Sequence, residues 1–154
     1  MNLEYKQAQG EDIERLYELS KNLIDRYEDI QSIEYDKVLK WVRRKIESCI
    51  AEYTCVYVNN EKAGYYHFFK NANGLFELDD LYIFSDYQRR GIGTEIIKKC
   101  CQEAKGAVYL YVFIKNERAV SLYERLGFQV VQTIKGSRFI MRKGDTIKTE
   151  CFEV

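Results

Sequence analysis

At 154 residues the chain is long enough for one domain that builds its core without metals or disulfide staples. Hydrophobic residues at 46% and charged residues at 31% give an ordinary globular composition and argue against disorder. The 24 basic side chains are balanced by 24 acidic ones, and zero net charge speaks against a duplex nucleic-acid binder, which carries a basic excess.

The opening MNLEYKQAQGEDIERL has no apolar h-region and turns acidic quickly, so it does not read as a secretory signal. No apolar run approaches the roughly 18 residues of a membrane span. The five cysteines, at 49, 55, 100, 101 and 151, show neither CxxC nor Cys/His metal spacing. Reduced thiols in a cytoplasmic protein are expected, with no metal. Cys100 and Cys101 fall in a helical pattern, where packing explains them.

In chain order, residues 2–8 alternate like a short edge strand. From Asp12 to about Tyr27 the residues Ile13, Leu16, Leu19, Leu23 and Ile24 recur at helical spacing. A second helix is expected over Tyr35 to Cys49, with Val38, Leu39, Val42 and Ile46 on its buried side. The segment 52–70 reads as a hairpin about a polar NNEKA turn, and a third strand follows at 74–84. Ile92, Ile96, Ile97, Cys100 and Ala104 mark a helix that should stop near Gly106, a glycine of the helix-ending type. The run 107-AVYLYVFI-114 has the continuous apolar character of a strand covered on both faces. Residues 116–126 form a short helix with Ala119, Leu122, Tyr123 and Leu126 on one face, and strands at 128–134 and 137–143 complete a mixed α+β order. In 77-ELDDLYI-83 a β-bulge near Asp79–Asp80 would bring Leu78, Leu81 and Ile83 to one face and leave backbone N–H groups for a ligand.

The stretch 84-FSDYQRRGIGTEIIKKC-100 places two glycines behind two arginines at the start of a helix. Glycines let successive N–H groups turn into one concavity, and the helix start adds its own donors and positive dipole end. It is not a Walker loop, because GxxxxGK[ST] is absent. It is not the dinucleotide fingerprint either: Ile96 stands where the third glycine belongs, and YVFIK lies where the ribose-binding acid should be. QRRGIG fits [QR]-x-x-G-x-[GA] between a strand and a helix. Farther on, 116-NERAVSLYERLGF-128 fits N-x-x-A-x-x-x-Y-x-x-x-G-F at every specified position.

With these two blocks, from about Gly64 to Met141, the chain resembles the GNAT superfamily of acetyl-CoA-dependent N-acetyltransferases. The resemblance implies a single domain over 1–154, with a cofactor-binding core at about 64–141 and acceptor-side helices at about 11–50. It implies a mixed, mostly antiparallel central sheet flanked by about four helices, with splayed strands at the cofactor site. Ser85 stands where the family often has proline, which should affect only the strand exit. By resemblance Gln88, Arg89, Arg90, Gly91, Ile92, Gly93 and Thr94 hold the pyrophosphate of coenzyme A. The backbone N–H of Leu81 faces the thioester oxygen, that of Ile83 the pantetheine amide, and Asn116 touches the cofactor arm besides capping its helix.

Acetyl transfer to an amine needs a base, since an alkylammonium has a pKa near ~10.4. Glu77 is the base candidate from the resemblance, with Asp79 and Asp80 as competitors. Tyr123 is the candidate acid for the departing thiolate. His67 among aromatics reads as structural, and Cys55 as an unneeded nucleophile. The expected reaction moves acetyl from acetyl-CoA directly to a primary amine of a small molecule or peptide. The alternative is a non-catalytic CoA-binding sensor or interaction module. Glu77, Asp79 and Asp80, with Glu34 and Asp36 near the roofing loop, favour a cationic acceptor such as a polyamine, a lysine-like side chain or an aminosugar.

Overall fold

A computed structural model of the chain describes residues 2–144. The elements run β1 (Leu3–Gln7), α1 (Ile13–Tyr27), α2 (Tyr35–Cys49), β2 (Tyr53–Val58), β3 (Glu61–Lys70), β4 (Phe76–Ile83), α3 (Ile92–Ala104), β5 (Val108–Phe113), α4 (Glu117–Arg125), β6 (Gln129–Ile134) and β7 (Arg138–Lys143). This is the order read from the sequence. The strand order in the sheet is β1-β2-β3-β4-β5-β7-β6. β4 runs parallel to β5, whereas β1–β2, β2–β3, β5–β7 and β6–β7 are antiparallel. Among the described residues no helix is long and apolar enough to cross a membrane. The chain divides into two compact units, residues 2–67 with 80–88 and residues 68–79 with 89–144.

In the first unit α1 and α2 are amphipathic. Leu16 and Ile24 of α1 and Leu39, Val42 and Ile46 of α2 are buried, while the opposite faces carry charge. The half-buried Arg43 clasps Glu14 with two bonds of 2.7 and 3.1 Å, joining the two helices. The β2–β3 turn is tighter than the NNEKA loop expected from the sequence. Asn59 and Asn60 alone make it, at φ 51° and 67°, the two positive-φ residues of a type I′ hairpin. A register shift opposite Val56 and Tyr57 leaves Ala63 as the extra residue of β3.

Asp12, 3% exposed, is the polar centre of this unit. It accepts hydrogen bonds from Lys62 (2.6 Å), Tyr65 (2.7 Å), the Gln9 backbone (2.9 Å) and the Cys55 thiol (3.6 Å). Burial by itself would raise its pKa, but Lys62, the Gln9 N–H and the Tyr65 hydroxyl together outweigh burial and hold it below the ordinary carboxylate value. The same burial, with the Asp12 charge beside it, pushes the Cys55 thiol up to about 11. Cys55 is therefore a poor nucleophile near neutral pH.

In the second unit β5 is the central strand. It pairs with all six residues of β7 and, through Val108–Leu110, with Phe76–Leu78 of β4. Val108, Tyr109, Leu110 and Val112 are buried, which accounts for its unbroken apolar run. Ile92, Ile96, Ile97 and Cys100 give α3 a buried stripe. The left-handed residue that ends α3 is Lys105, at φ 53°, and not Gly106. The chain reverses one residue earlier than the glycine suggested, at the residue whose N–H makes the last helical bond, to the Cys101 carbonyl at 3.3 Å. Among the described residues Cys49, Cys55, Cys100 and Cys101 are free thiols; the reading of Cys151 lies outside the described residues.

Candidate functional site

The glycine-arginine corner has the backbone that its sequence demands. Arg89 lies at φ 64° and Gly91 at φ 80°, two left-handed residues around Arg90. Gly91 is the N-cap of α3, and its carbonyl accepts the first helical bond from Glu95 N–H at 3.1 Å. The N–H groups of Ile92, Gly93 and Thr94 belong to the first turn, where no carbonyl of the helix can reach them. The Ile92 side chain, 1% exposed, pins that turn from within. A concave row of donors at the positive end of a helix of 13 residues is a phosphate-binding arrangement. Arg89 and Arg90 are exposed at its rim.

The two glycines do different work. Gly91 needs its positive φ, whereas Gly93 is helical, and a Cβ there would meet only Leu122 Cδ2 at 3.9 Å. Gly93→Ala should therefore keep or slightly raise stability, since alanine is the better helix former by about 0.5–1 kcal/mol. Its expected cost is in ligand binding: a methyl group at 93 holds phosphate oxygens off the N–H groups. Titration calorimetry with coenzyme A should show weaker binding for Gly93→Ala in a fold that melts no lower. Equal affinity would mean that no ligand closely approaches residue 93.

The strand exit is built within the first unit. Phe84 N–H bonds the Ala63 carbonyl at 2.8 Å, and a 3-10 turn over Ser85–Tyr87 follows. Gln88 Nε2 donates to the Ile83 carbonyl at 2.9 Å. Its side chain ties the loop entrance to the end of β4.

β4 carries the segment in which the bulge was expected. Leu78 and Tyr82 are its buried residues, and Leu81 and Ile83 are half-buried. The register shifts found are in the β2–β3 and β6–β7 ladders. Among the described residues the parallel β4–β5 ladder covers Phe76–Leu78 and stops before Leu81 and Ile83.

The three candidate bases differ in their surroundings. Asp80 accepts the Tyr53 hydroxyl at 2.6 Å, and its other oxygen lies 3.1 Å from Tyr82 Oη. Lys45 Nζ stands 3.5 Å away. Two phenols and an ammonium thus hold that carboxylate in place. Glu77 is half-buried, and Asn71 Nδ2 donates to it at 3.4 Å. Asp79 is half-buried as well.

The second sequence block explains itself locally. Asn116 Oδ1 caps α4 by accepting from Ala119 N–H at 3.3 Å. Gly127 takes φ 97° to end it, and Phe128 N–H returns to the Tyr123 carbonyl at 3.0 Å, the Schellman closure. The buried Tyr123 ring then meets Phe128 edge-to-face at 5.8 Å. Sequence reasoning missed a further cluster in the first unit. His67 is 1% exposed, stacks on Tyr53 at 4.5 Å and lies 3.0 Å, by Nε2, from Glu52 Oε1. Its members come from separate elements, and the only local signal is the pairing of Tyr53 with His67 across the hairpin.

Comparison with known proteins agrees with this geometry. The profile of the acetyltransferase (GNAT) family matches residues 11–128, from the start of α1 to the end of the NxxAxxxYxxxGF block. An uncharacterised N-acetyltransferase of Methanocaldococcus jannaschii is 36% identical over 64 residues, 39% of this chain and 28% of that protein. The spermine/spermidine N(1)-acetyltransferase of Bacillus subtilis is 36% identical over 64 residues, 38% of this chain and 42% of that protein. The chain thus spans less than half the length of these curated relatives. Among solved structures, the PaiA N-acetyltransferase of Thermoplasma acidophilum in complex with coenzyme A superposes with a TM-score of 0.67 at 23% identity, covering 94% of this chain and 100% of that one. That likeness speaks for the fold. With the family profile covering most of the sequence, and a glycine nest and a capped tyrosine helix where its motifs fall, the chain belongs to the acetyltransferase (GNAT) family.

Proposed function

We propose that this protein transfers the acetyl group of acetyl-CoA directly to a primary amine. The observation that carries the reading is the left-handed pair Arg89 and Gly91 opening α3, a phosphate cradle in a chain of this family. The N–H groups of residues 89–94 take the pyrophosphate, while those of Leu81 and Ile83 take the thioester oxygen and the pantetheine amide. The amine nitrogen attacks the thioester carbon, the C–S bond breaks, and coenzyme A leaves as a thiolate. Glu77 receives the ammonium proton before attack and passes it to solvent; Tyr123 protonates the thiolate and is restored by the second proton that the nitrogen sheds as the amide forms. The hold on Asp80 by Tyr53, Tyr82 and Lys45 favours Glu77 over that aspartate. An amide N–H set against the developing oxyanion is worth roughly 3 kcal/mol.

For the acceptor we favour a cationic amine such as a polyamine. Support comes from the named activity of the Bacillus subtilis relative and from the acids on β4. Two of the five acids counted from the sequence contribute less than expected, because Glu34 faces Lys37 at 3.3 Å and Asp80 faces Lys45 at 3.5 Å. The experiment follows free thiol release from acetyl-CoA with spermidine and with glutamate, at low and high salt. Spermidine should give the higher kcat/KM, falling as salt rises. If glutamate wins, the cationic acceptor is wrong and the transferase stands. If coenzyme A binds but no amine of a broad panel releases thiol, the protein is a CoA-binding module instead.

A further inference from the structure

We propose that Cys49, Glu52 and His67 form a binding site for a zinc-type divalent cation that fastens the end of α2 to β3, with water as the fourth ligand. The inference stands independently of acetyl transfer.

Cys49 closes α2, and Glu52 ends the 3-10 turn Ile50–Glu52 that continues it. In such a turn side chains three apart are eclipsed, so thiol and carboxylate project to the same side. His67 arrives from β3 opposite Tyr53, the residue directly after Glu52. The sulfur, a carboxylate oxygen and an imidazole nitrogen lie within 4.8 Å of one another. A tetrahedral zinc with ordinary bond lengths holds such atoms roughly 3.3–3.6 Å apart. The Glu52–His67 pair, at 3.0 Å, is already close to that spacing, so only small side-chain movements are needed.

The ring is preorganised by burial and by its stack on Tyr53, 4.5 Å between centroids and 20° between planes. The outer ligands are accessible: Cys49 is half-buried and the Glu52 side chain is 50% exposed, which leaves room for entry and for the water. An Asp80 carboxylate oxygen lies within 4.8 Å of an imidazole nitrogen and is itself held by Tyr53, a carboxylate suited to orient a ligating histidine. The donor set of thiolate, imidazole and one carboxylate selects zinc or cobalt over magnesium and calcium, which prefer oxygen throughout. On binding, the Cys49 thiol proton is released to solvent, the Nε2 proton that His67 shares with Glu52 leaves that nitrogen by tautomerisation to Nδ1 or by release, and their hydrogen bond gives way to two metal bonds.

The test uses the full, untagged chain freed of metal with a chelator and then titrated with cobalt(II). One equivalent should produce a thiolate-to-cobalt charge-transfer band with tetrahedral d–d bands, and one equivalent of zinc should abolish both. Cys49→Ser should lose the charge-transfer band and bind zinc more than about 100-fold more weakly, since even the groups behind metal ligands are worth about 10- to 100-fold. Glu52→Gln should keep the band and bind zinc at least about 10-fold more weakly. Both positions are accessible, so these variants avoid the folding risk of replacing buried His67. Absence of a thiolate band in the parent chain, or a band that survives Cys49→Ser, overturns the proposal.

Discussion

Gly64→Ala is expected to destabilise the protein by about 3 kcal/mol, the upper range for a residue forced into a packed interior. For a chain of this length that is a fall of roughly 6–12 °C in Tm. A Cβ at 64 would stand 2.0 Å from the Tyr82 carbonyl oxygen and 3.2 Å from Ile83 Cα. Both neighbours are backbone, so no side chain can rotate away. The strands must separate, and with them the bond from Phe84 N–H to the Ala63 carbonyl, now 2.8 Å. Thermal melts followed by circular dichroism, with urea titration for the free energy, measure the loss. A variant within about 1 kcal/mol of the parent would mean that the contact relaxes freely. Because Leu81 and Ile83 ride on the same strand, acetyl-CoA affinity should fall with stability.

Tyr123→Phe is expected to lower kcat about 100-fold or more, as befits the loss of a general acid, while acetyl-CoA affinity stays near that of the parent. The substitution is clean because phenylalanine keeps the edge-to-face packing on Phe128 and the apolar side of α4. An unchanged Tm together with a lower kcat therefore reports the hydroxyl. Steady-state kinetics with a good amine, alongside calorimetry for the cofactor, separates the two parameters. Unaltered turnover would reduce Tyr123 to a core aromatic and send the search for the acid elsewhere.

Most of the fold was legible because its signals are local. α2 runs from Tyr35 to Cys49 as its apolar spacing indicated, and β5 shows the burial that an unbroken run of Val, Tyr, Leu and Phe requires. The glycine at 91 was legible for the same reason, since a helix N-cap with positive φ is a property of a few adjacent residues. What sequence could not give depends on partners far along the chain. Asp12 looks like an ordinary acid at a helix start until Lys62 and Tyr65 arrive from β3. Asp80 stood as a competitor to Glu77, and its bonds to Tyr53, Tyr82 and Lys45 join β4 to residues far back along the chain. Cys49, Glu52 and His67 are brought together only by the pairing of β2 with β3.

The pairing of β1 with β2 sets a sequence of events in folding. Gln7 lies opposite Thr54, so this ladder encloses both α1 and α2, whereas β2 and β3 are joined by two residues. Closing the long segment forfeits more chain entropy than closing the short one, and the tight hairpin can form within microseconds. β1 must therefore dock late, onto an edge that β3 has already braced. Asp12, five residues beyond Gln7, then meets Lys62 and Tyr65 on that brace, and the bond from Ala8 N–H to the Tyr53 carbonyl at 2.9 Å closes beside it. The buried carboxylate acts as a latch on β1, so the N-terminal edge gains its hold only when β3 is in place.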